Sequence, residues 1–114
     1  MTNIEYLYKK GLQLDLPIQL QQASEELGFY PNLHYWVITG KSEIGEMRLY
    51  QEEDGLFEYV FDLQYVRRKL FSKKKVFVNT HWHPRGYQKA MDDMIVFMKG
   101  DKDYFRRVMK IDVE

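Results

Sequence analysis

Cysteine is absent from this chain of 114 residues, which excludes a disulfide framework and a thiol nucleophile and fits a reducing compartment. Long hydrophobic runs are also missing, because no stretch reaches the roughly 18 apolar residues of a membrane-spanning helix. The first ten residues carry an acid near their start and no apolar segment after their lysines, which argues against a signal peptide. The sequence therefore predicts a cytoplasmic protein with no membrane contact.

An excess of charge of either sign is missing as well. The 17 basic and 17 acidic residues cancel, so there is no global field to attract nucleic acid or a membrane surface. The chain also has no phosphate-binding P-loop, no dinucleotide-binding glycine pattern and no nucleophile elbow. The sequence therefore contains none of these catalytic or nucleotide-binding motifs, and no cofactor is expected.

Aromatic residues, at 16%, are plentiful, and they favour a packed core with strands over disorder. The length suits one domain, 1–114. The clearest pattern is the alternation in 56–66, where Phe57, Tyr59, Phe61 and Leu63 fall on one side and Glu58 falls on the other. A period of two predicts a strand with the first set buried against helices and the polar set exposed.

Four segments have strand character: 33–39, 46–52, 56–66 and 76–82. The turn Glu53-Asp54-Gly55 joins the second to the third, since Asp-Gly tolerates the positive φ angles of tight hairpins. A basic connection joins the third to the fourth. The order predicts a four-stranded antiparallel meander.

Helical patterns flank these strands on both sides. Thr2 and Glu5 have the spacing of a capping box, which predicts a helix over 3–10. Pro17 and a stripe of apolar residues ending near Gly28 predict a second helix. Apolar spacing over 87–98, and Asp101 as a cap, predict two C-terminal helices. The fold class expected is α+β, with N-terminal helices, the meander sheet, and C-terminal helices packed on one face.

Charge is unevenly distributed along the middle of the chain. Residues 41–65 contain seven acids and two bases, whereas residues 66–75 contain six cations and no acid. The basic loop 67–75 is typical of a solvated hairpin connection whose charge discourages edge pairing. The alternative is a phosphate- or RNA-binding module that uses this loop.

Two histidines at strand spacing form the other candidate site. His81 and His83 share one strand face, and the polar face of the preceding strand carries Glu58 and Asp62. If the strand register agrees, these groups are neighbours and could bind a metal or act as acid and base. A small metal-binding or hydrolytic protein thus stays open as an alternative, although no further clustered ligand completes a metal shell.

The chain resembles the small immunity proteins of Gram-positive polymorphic toxin systems, which are encoded beside LXG-type toxins. The resemblance lies in the segment ASEELGFYP, the aromatic strand LHYWVITG, the acidic meander, and the ending HWHPRGYQKAMDDMIVFMKGDKDYF. It implies a non-enzymatic cytoplasmic protein that binds and neutralises a cognate toxin domain.

An immunity protein needs a surface complementary to its toxin and no catalytic group. The acidic hairpin, residues 43–62, could cover a basic active-site cleft, with Tyr30 as a further aromatic contact. The residues predicted to bind the partner are Tyr50, Glu52, Glu53, Asp54, Glu58 and Asp62.

Overall fold

The computed structural model describes residues 2–31, 33–52, 58–68 and 74–114. These residues contain helices and strands in the order α1 (Asn3–Gln13), β1 (Gln19–Gln22), β2 (Trp36–Lys41), β3 (Gly45–Gln51), β4 (Tyr59–Val66), β5 (Phe77–Trp82), α2 (Tyr87–Met98) and α3 (Lys102–Arg107). The α+β class predicted from the sequence is confirmed.

The sheet is an antiparallel meander in which every strand pairs with its neighbour in sequence, in the order β1-β2-β3-β4-β5. The four predicted strands are present, with the first shifted to Trp36–Lys41. The prediction of four strands was wrong in number, because β1 adds a fifth at one edge. The predicted Glu53-Asp54-Gly55 turn lies outside the described residues, as does Phe57.

The first helix forms as its sequence predicts. The backbone N–H of Glu5 donates to the Thr2 hydroxyl at 3.1 Å, and the Glu5 carboxylate accepts from the Thr2 backbone N–H at 3.2 Å. These reciprocal hydrogen bonds satisfy donors that have no partner within the helix. The helix buries Ile4 and Leu7 against the sheet.

The predicted second helix is wrong. Residues Gln19–Gln22 form strand β1, with Leu20 paired to Ile38 of β2, and the following residues make turns. Ile18 and Leu20 face the helices while Gln19 faces the opposite side. The physical reason is that this segment supplies hydrogen-bond partners to an otherwise open edge of β2.

The two C-terminal helices are confirmed. The core side of α2 buries Ala90, Met91, Met94 and Phe97. The Asp101 carboxylate accepts a hydrogen bond from the Tyr104 backbone N–H at 3.0 Å and so caps α3. Both helices and α1 contribute to one core cluster with the sheet, so the three helices pack on a single face.

The core lies between this face and the helices. Tyr59, Phe61 and Leu63 of β4 are buried in it, as the alternation predicts. The Phe61 ring stacks on Trp82 with ring centroids 4.4 Å apart. Trp82 in turn donates its indole N–H to the buried carboxylate of Asp93 at 2.8 Å, so its polar atom is satisfied inside the protein.

Candidate binding face

The side of the sheet opposite the helices is the candidate functional surface, and it is called here the helix-free face. Pleating sends alternate residues of every strand to it. The polar side chains that it carries are Gln19, Gln21, Thr39, Lys41, Glu46, Arg48, Asp62, Gln64, Asn79 and His81. Glutamine, asparagine and threonine side chains are prominent, and they offer donors and acceptors without net charge.

One end of this face is covered by a small aromatic cluster. Tyr50, Val37 and Val60 are buried beneath Phe29 and Tyr35, which belong to the segment between β1 and β2. Tyr50 stacks on Tyr35, and the edge of Phe29 meets the Tyr50 ring. Burial, followed by the nearby charges of Asp62 and Glu52, raises the pKa of Tyr50 well above its ordinary value. Tyr50 is thus placed as a buried anchor of this face.

Arg48 ties the covering segment to the sheet. Its guanidinium donates through Nη1 to the backbone carbonyl of Leu27, and Nη2 lies 3.6 Å from Oδ2 of Asp62. The same group lies 5.7 Å from the centroid of the Phe29 ring, within cation–π distance. The main cation at the centre of the face is therefore engaged in internal contacts.

Beside this cluster runs an open groove of about 810 Å³. Its floor is the polar part of the sheet, and one wall is the turn that follows β1. The residues that line it are Pro17, Gln19, Gln21, Glu25, Glu26, Leu27, Gly28, Thr39, Gly40, Lys41, Glu46, Met47, Arg48, Gln64 and Asn79. A polar, shallow concavity of this kind suits a protein segment better than a small apolar ligand.

Acidic residues border the groove. Glu25 and Glu26 stand on its wall and Glu46 on its floor, where Glu46 pairs with Lys41 at 3.4 Å. Sequence reasoning missed Glu25 and Glu26, because it placed them on the polar side of a helix. The alternation of Ile18, Leu20 and the glutamines between them was the signal that could have placed this turn beside the sheet.

The predicted strand neighbours of the histidines are confirmed. His81 pairs with Asp62, and Asn79 pairs with Gln64. His83 Nδ1 lies 3.5 Å from a Glu58 carboxylate oxygen and 3.3 Å from the Tyr59 carbonyl oxygen. Among the described residues, histidine and acidic side chains form no group of three or more that could hold a metal ion.

The predicted partner-binding residues are partly brought together. Glu52 is half-buried and Glu58 is exposed. The two residues are neighbours, because the Glu52 backbone N–H donates to the Glu58 carbonyl at 3.0 Å. Asp62 is half-buried beside Arg48. Glu53 and Asp54 lie outside the described residues, so their predicted roles remain predictions.

The basic loop is described only at its two ends. Arg67 and Arg68 are exposed after β4, and Arg68 pairs with Asp112 at 3.1 Å. Lys74 and Lys75 are exposed before β5, while residues 69–73 lie outside the described residues. The predicted phosphate or RNA site at this loop therefore remains a prediction.

Comparison with protein-family models, with curated proteins and with solved structures gives no match. In the described part of the chain, no helix is long and apolar enough to cross a membrane. The helix-free face therefore has to be interpreted from its own residues.

Proposed function

We propose that this protein is a non-catalytic cytoplasmic immunity protein, which neutralises a cognate toxin domain by covering it with the helix-free face. The observation that carries the proposal is the acid-bordered groove on a sheet face that the helices leave open. The resemblance to immunity proteins supports a toxin domain as the partner, and the open groove supports the helix-free face as the contact surface.

Charge supports a basic partner. Around the face, Glu25, Glu26, Glu52 and Glu58 add negative charge, while Arg48 is held by internal contacts. A toxin that cleaves nucleic acid would present a basic cleft, and an acidic surface accelerates its capture by electrostatic steering. The groove could receive a protruding loop of such a partner.

The contacts of the candidate catalytic residues favour binding over hydrolysis. Asp62 serves Arg48 as an ion-pair partner, and its negative charge beside Tyr50 helps to raise the pKa of that hydroxyl. His83 lies against Glu58 and a backbone carbonyl at the end of β4. These side chains fasten the sheet and its covering segment together, which is the rigid support that a binding face requires.

The direct test is co-expression with the toxin candidate encoded by the adjacent gene. Two double charge reversals address the two parts of the face: Glu25→Lys with Glu26→Lys at the groove, and Glu52→Lys with Glu58→Lys at the acidic hairpin. Each should slow association by about tenfold or more at low salt, and the loss should shrink as salt rises, because screening weakens steering. Stopped-flow or biolayer measurements of the association rate give the readout.

A matched control reverses two acids on the helix side, Asp92→Lys with Asp103→Lys. Each double variant reverses two acids, so the change in total charge is the same. The two control positions are exposed on the helices and leave the helix-free face untouched. Equal slowing by the control would show that only net charge matters. Protection by neither the native protein nor any variant would remove the immunity proposal.

A further inference from the structure

Phe77, the first residue of β5, places an exposed aromatic ring on the helix-free face. It pairs with Val66 of β4, and both side chains share a side with the neighbouring pair of Asn79 and Gln64. The Phe77 side chain is 69% exposed, whereas the other large apolar residues exposed in the described part of the chain lie outside the strands. Single exposed apolar residues are common, so the surroundings of Phe77 decide whether it can bind anything.

A hollow of about 390 Å³ lies beside this ring. It forms because β3 begins at Gly45, opposite Tyr65, and does not extend alongside Val66. The turn before β3 makes one wall of the hollow, and Val66 and Phe77 make its apolar side. A hollow of this size, with one aromatic ring exposed to it, has room for an aromatic side chain of a partner.

The hollow adjoins the groove, because Lys41, Glu46 and Gln64 line both. Lys41 and Glu46 form an ion pair at 3.4 Å on this border, and both side chains are exposed. An exposed ion pair contributes little stability, so it can open when a ligand arrives. One extended segment of a partner can therefore occupy the groove and the hollow together.

Charge changes sign along these two concavities. In the groove, the exposed carboxylates of Glu25 and Glu26 make no ion pair with any described residue. The hollow itself contains charges of both signs. Beyond it, the chain continues into the basic loop 67–75, whose described cations are exposed. A cationic side chain of a partner is therefore favoured in the groove and disfavoured past the hollow.

We propose that the partner segment bound by the helix-free face presents an aromatic side chain to Phe77 and a lysine or arginine to Glu25 and Glu26. The inference rests on the proposed function for the identity of the partner, and it adds the chemistry and the orientation of the bound segment. Aromatic anchors carry much of the binding energy of interfaces, while charges around them mainly set the association rate. Phe77 should thus govern how long the partner stays bound.

Three short peptides test this chemistry: Trp-Gly-Gly-Lys-Lys, Ala-Gly-Gly-Lys-Lys and Trp-Gly-Gly-Glu-Glu, all acetylated and amidated. Each is titrated into the ¹⁵N-labelled full chain, and the amide NMR signals are followed. The first peptide should shift the signals of Val66 and Phe77 together with those of Glu25 and Glu26. The alanine peptide should bind about fivefold more weakly, because it lacks the ring that stacks on Phe77.

The acidic peptide separates this inference from a phosphate or RNA site at the basic loop. It should bind more weakly than the first peptide, since Glu25 and Glu26 repel it. Tighter binding of the acidic peptide would show that the cations beyond the hollow dominate and would overturn the proposal. Shifts that leave out either Phe77 or the two glutamates would overturn it too.

A variant of the ring gives the second measurement. Phe77→Ser should weaken binding of the first peptide about fivefold, with little change in Tm because the side chain is exposed. The matched control is Val108→Ser, an exposed apolar position after α3, which should bind like the native protein. Equal binding by the native protein and Phe77→Ser would overturn the inference.

Co-expression with the adjacent toxin candidate distinguishes the two proposals. With that partner, Phe77→Ser should speed dissociation by about tenfold or more and leave the association rate unchanged, unlike the charge reversals in the groove. A native protein that protects, with equal dissociation rates for Phe77→Ser, would overturn the inference and leave the immunity proposal standing. A native protein that binds the first peptide as expected but gives no protection would remove the toxin as partner and support the chemistry of the site.

Discussion

At the scale of single residues, Phe61 connects the sheet to the helices. Its ring is fully buried, stacks on Trp82 and meets the edge of Phe97 on α2. Aromatic pairs in such offset arrangements contribute beyond the area that they bury. The side chain thus joins two strands and a helix at one point.

Truncating this ring should be costly. Phe61→Ala removes a buried aromatic and leaves a cavity between β4, β5 and α2, so the free energy of unfolding should fall by about 3–5 kcal/mol. Tyr30→Ala is the control, because Tyr30 is 84% exposed and its loss should change stability by less than about 0.5 kcal/mol. Urea unfolding of both variants measures the difference. Similar losses for the two would show that Phe61 does not carry the core as described.

At the scale of the elements, sequence periodicity predicted most of the architecture. The capping box of α1, the apolar spacing of α2 and the alternation of β4 each depend on local physics that acts within one segment. The wrong prediction of a helix over 15–28 has the same origin. Leu16, Leu20 and Leu27 fit a helical stripe, but Leu16, Ile18 and Leu20 also fit a strand, and only the open edge of β2 decides between them.

The turn after β1 depends on Gly28. Its φ is +88°, which L side chains rarely adopt, and a Cβ there would lie 2.6 Å from Nη1 of Arg48. Gly86 has a similar φ of +92°, but among the described residues nothing lies within 4 Å of its added Cβ. The two glycines therefore separate backbone strain from displacement of Arg48.

Gly86→Ala should cost about 1 kcal/mol, from strain alone. Gly28→Ala should cost more, because Arg48 must also give up its place beside the Leu27 carbonyl. Chemical denaturation of the two variants gives the comparison. If Gly28→Ala also weakens partner binding while Gly86→Ala does not, the turn positions the groove wall. Equal stability losses would show that Arg48 moves aside without penalty.

At the scale of the whole molecule, alkaline pH should destabilise the fold. The pKa values of Tyr50, Tyr59 and Tyr87 are raised, mainly because burial disfavours the phenolate. The pKa of Lys89 is raised too, first by its hydrogen bond to Asp93. Groups with a raised folded-state pKa contribute stability that is complete below their unfolded pKa, near pH 10, and is lost as the pH rises through the folded value.

The free energy of unfolding should therefore be flat from about pH 8 to 9 and should fall above about pH 10. Urea titrations over this range measure it. The absorbance of tyrosinate should show Tyr50 ionising only as the protein unfolds. Asp62→Asn removes a negative charge beside Tyr50 and should lower its pKa. A flat stability profile through pH 11 would contradict the assignment of these groups as buried or bonded.

The candidate face was predictable only in part. Period-two patterns put Asp62 and Gln64 on one strand face and His81 on the same face of the next strand. The pairs Asp62–His81 and Gln64–Asn79 depend on the hairpin register, which alternation alone leaves open. The groove could not be predicted, since its wall comes from a segment that was assigned to a helix. The burial of Tyr50 depends on Phe29 and Tyr35, whose approach no local pattern encodes.

The nearest-neighbour order of the strands also bears on how the chain folds during synthesis. Each hairpin can close as soon as its second strand leaves the ribosome, because its partner immediately precedes it. The apolar face of the sheet is covered later than the strands are paired. Much of its cover is α2, which is translated after all five strands and also contacts α1 from the start of the chain. A nascent chain ending before Tyr87 would carry a paired sheet with Phe61 and Leu63 in water, a species that chaperones should hold until the helix emerges.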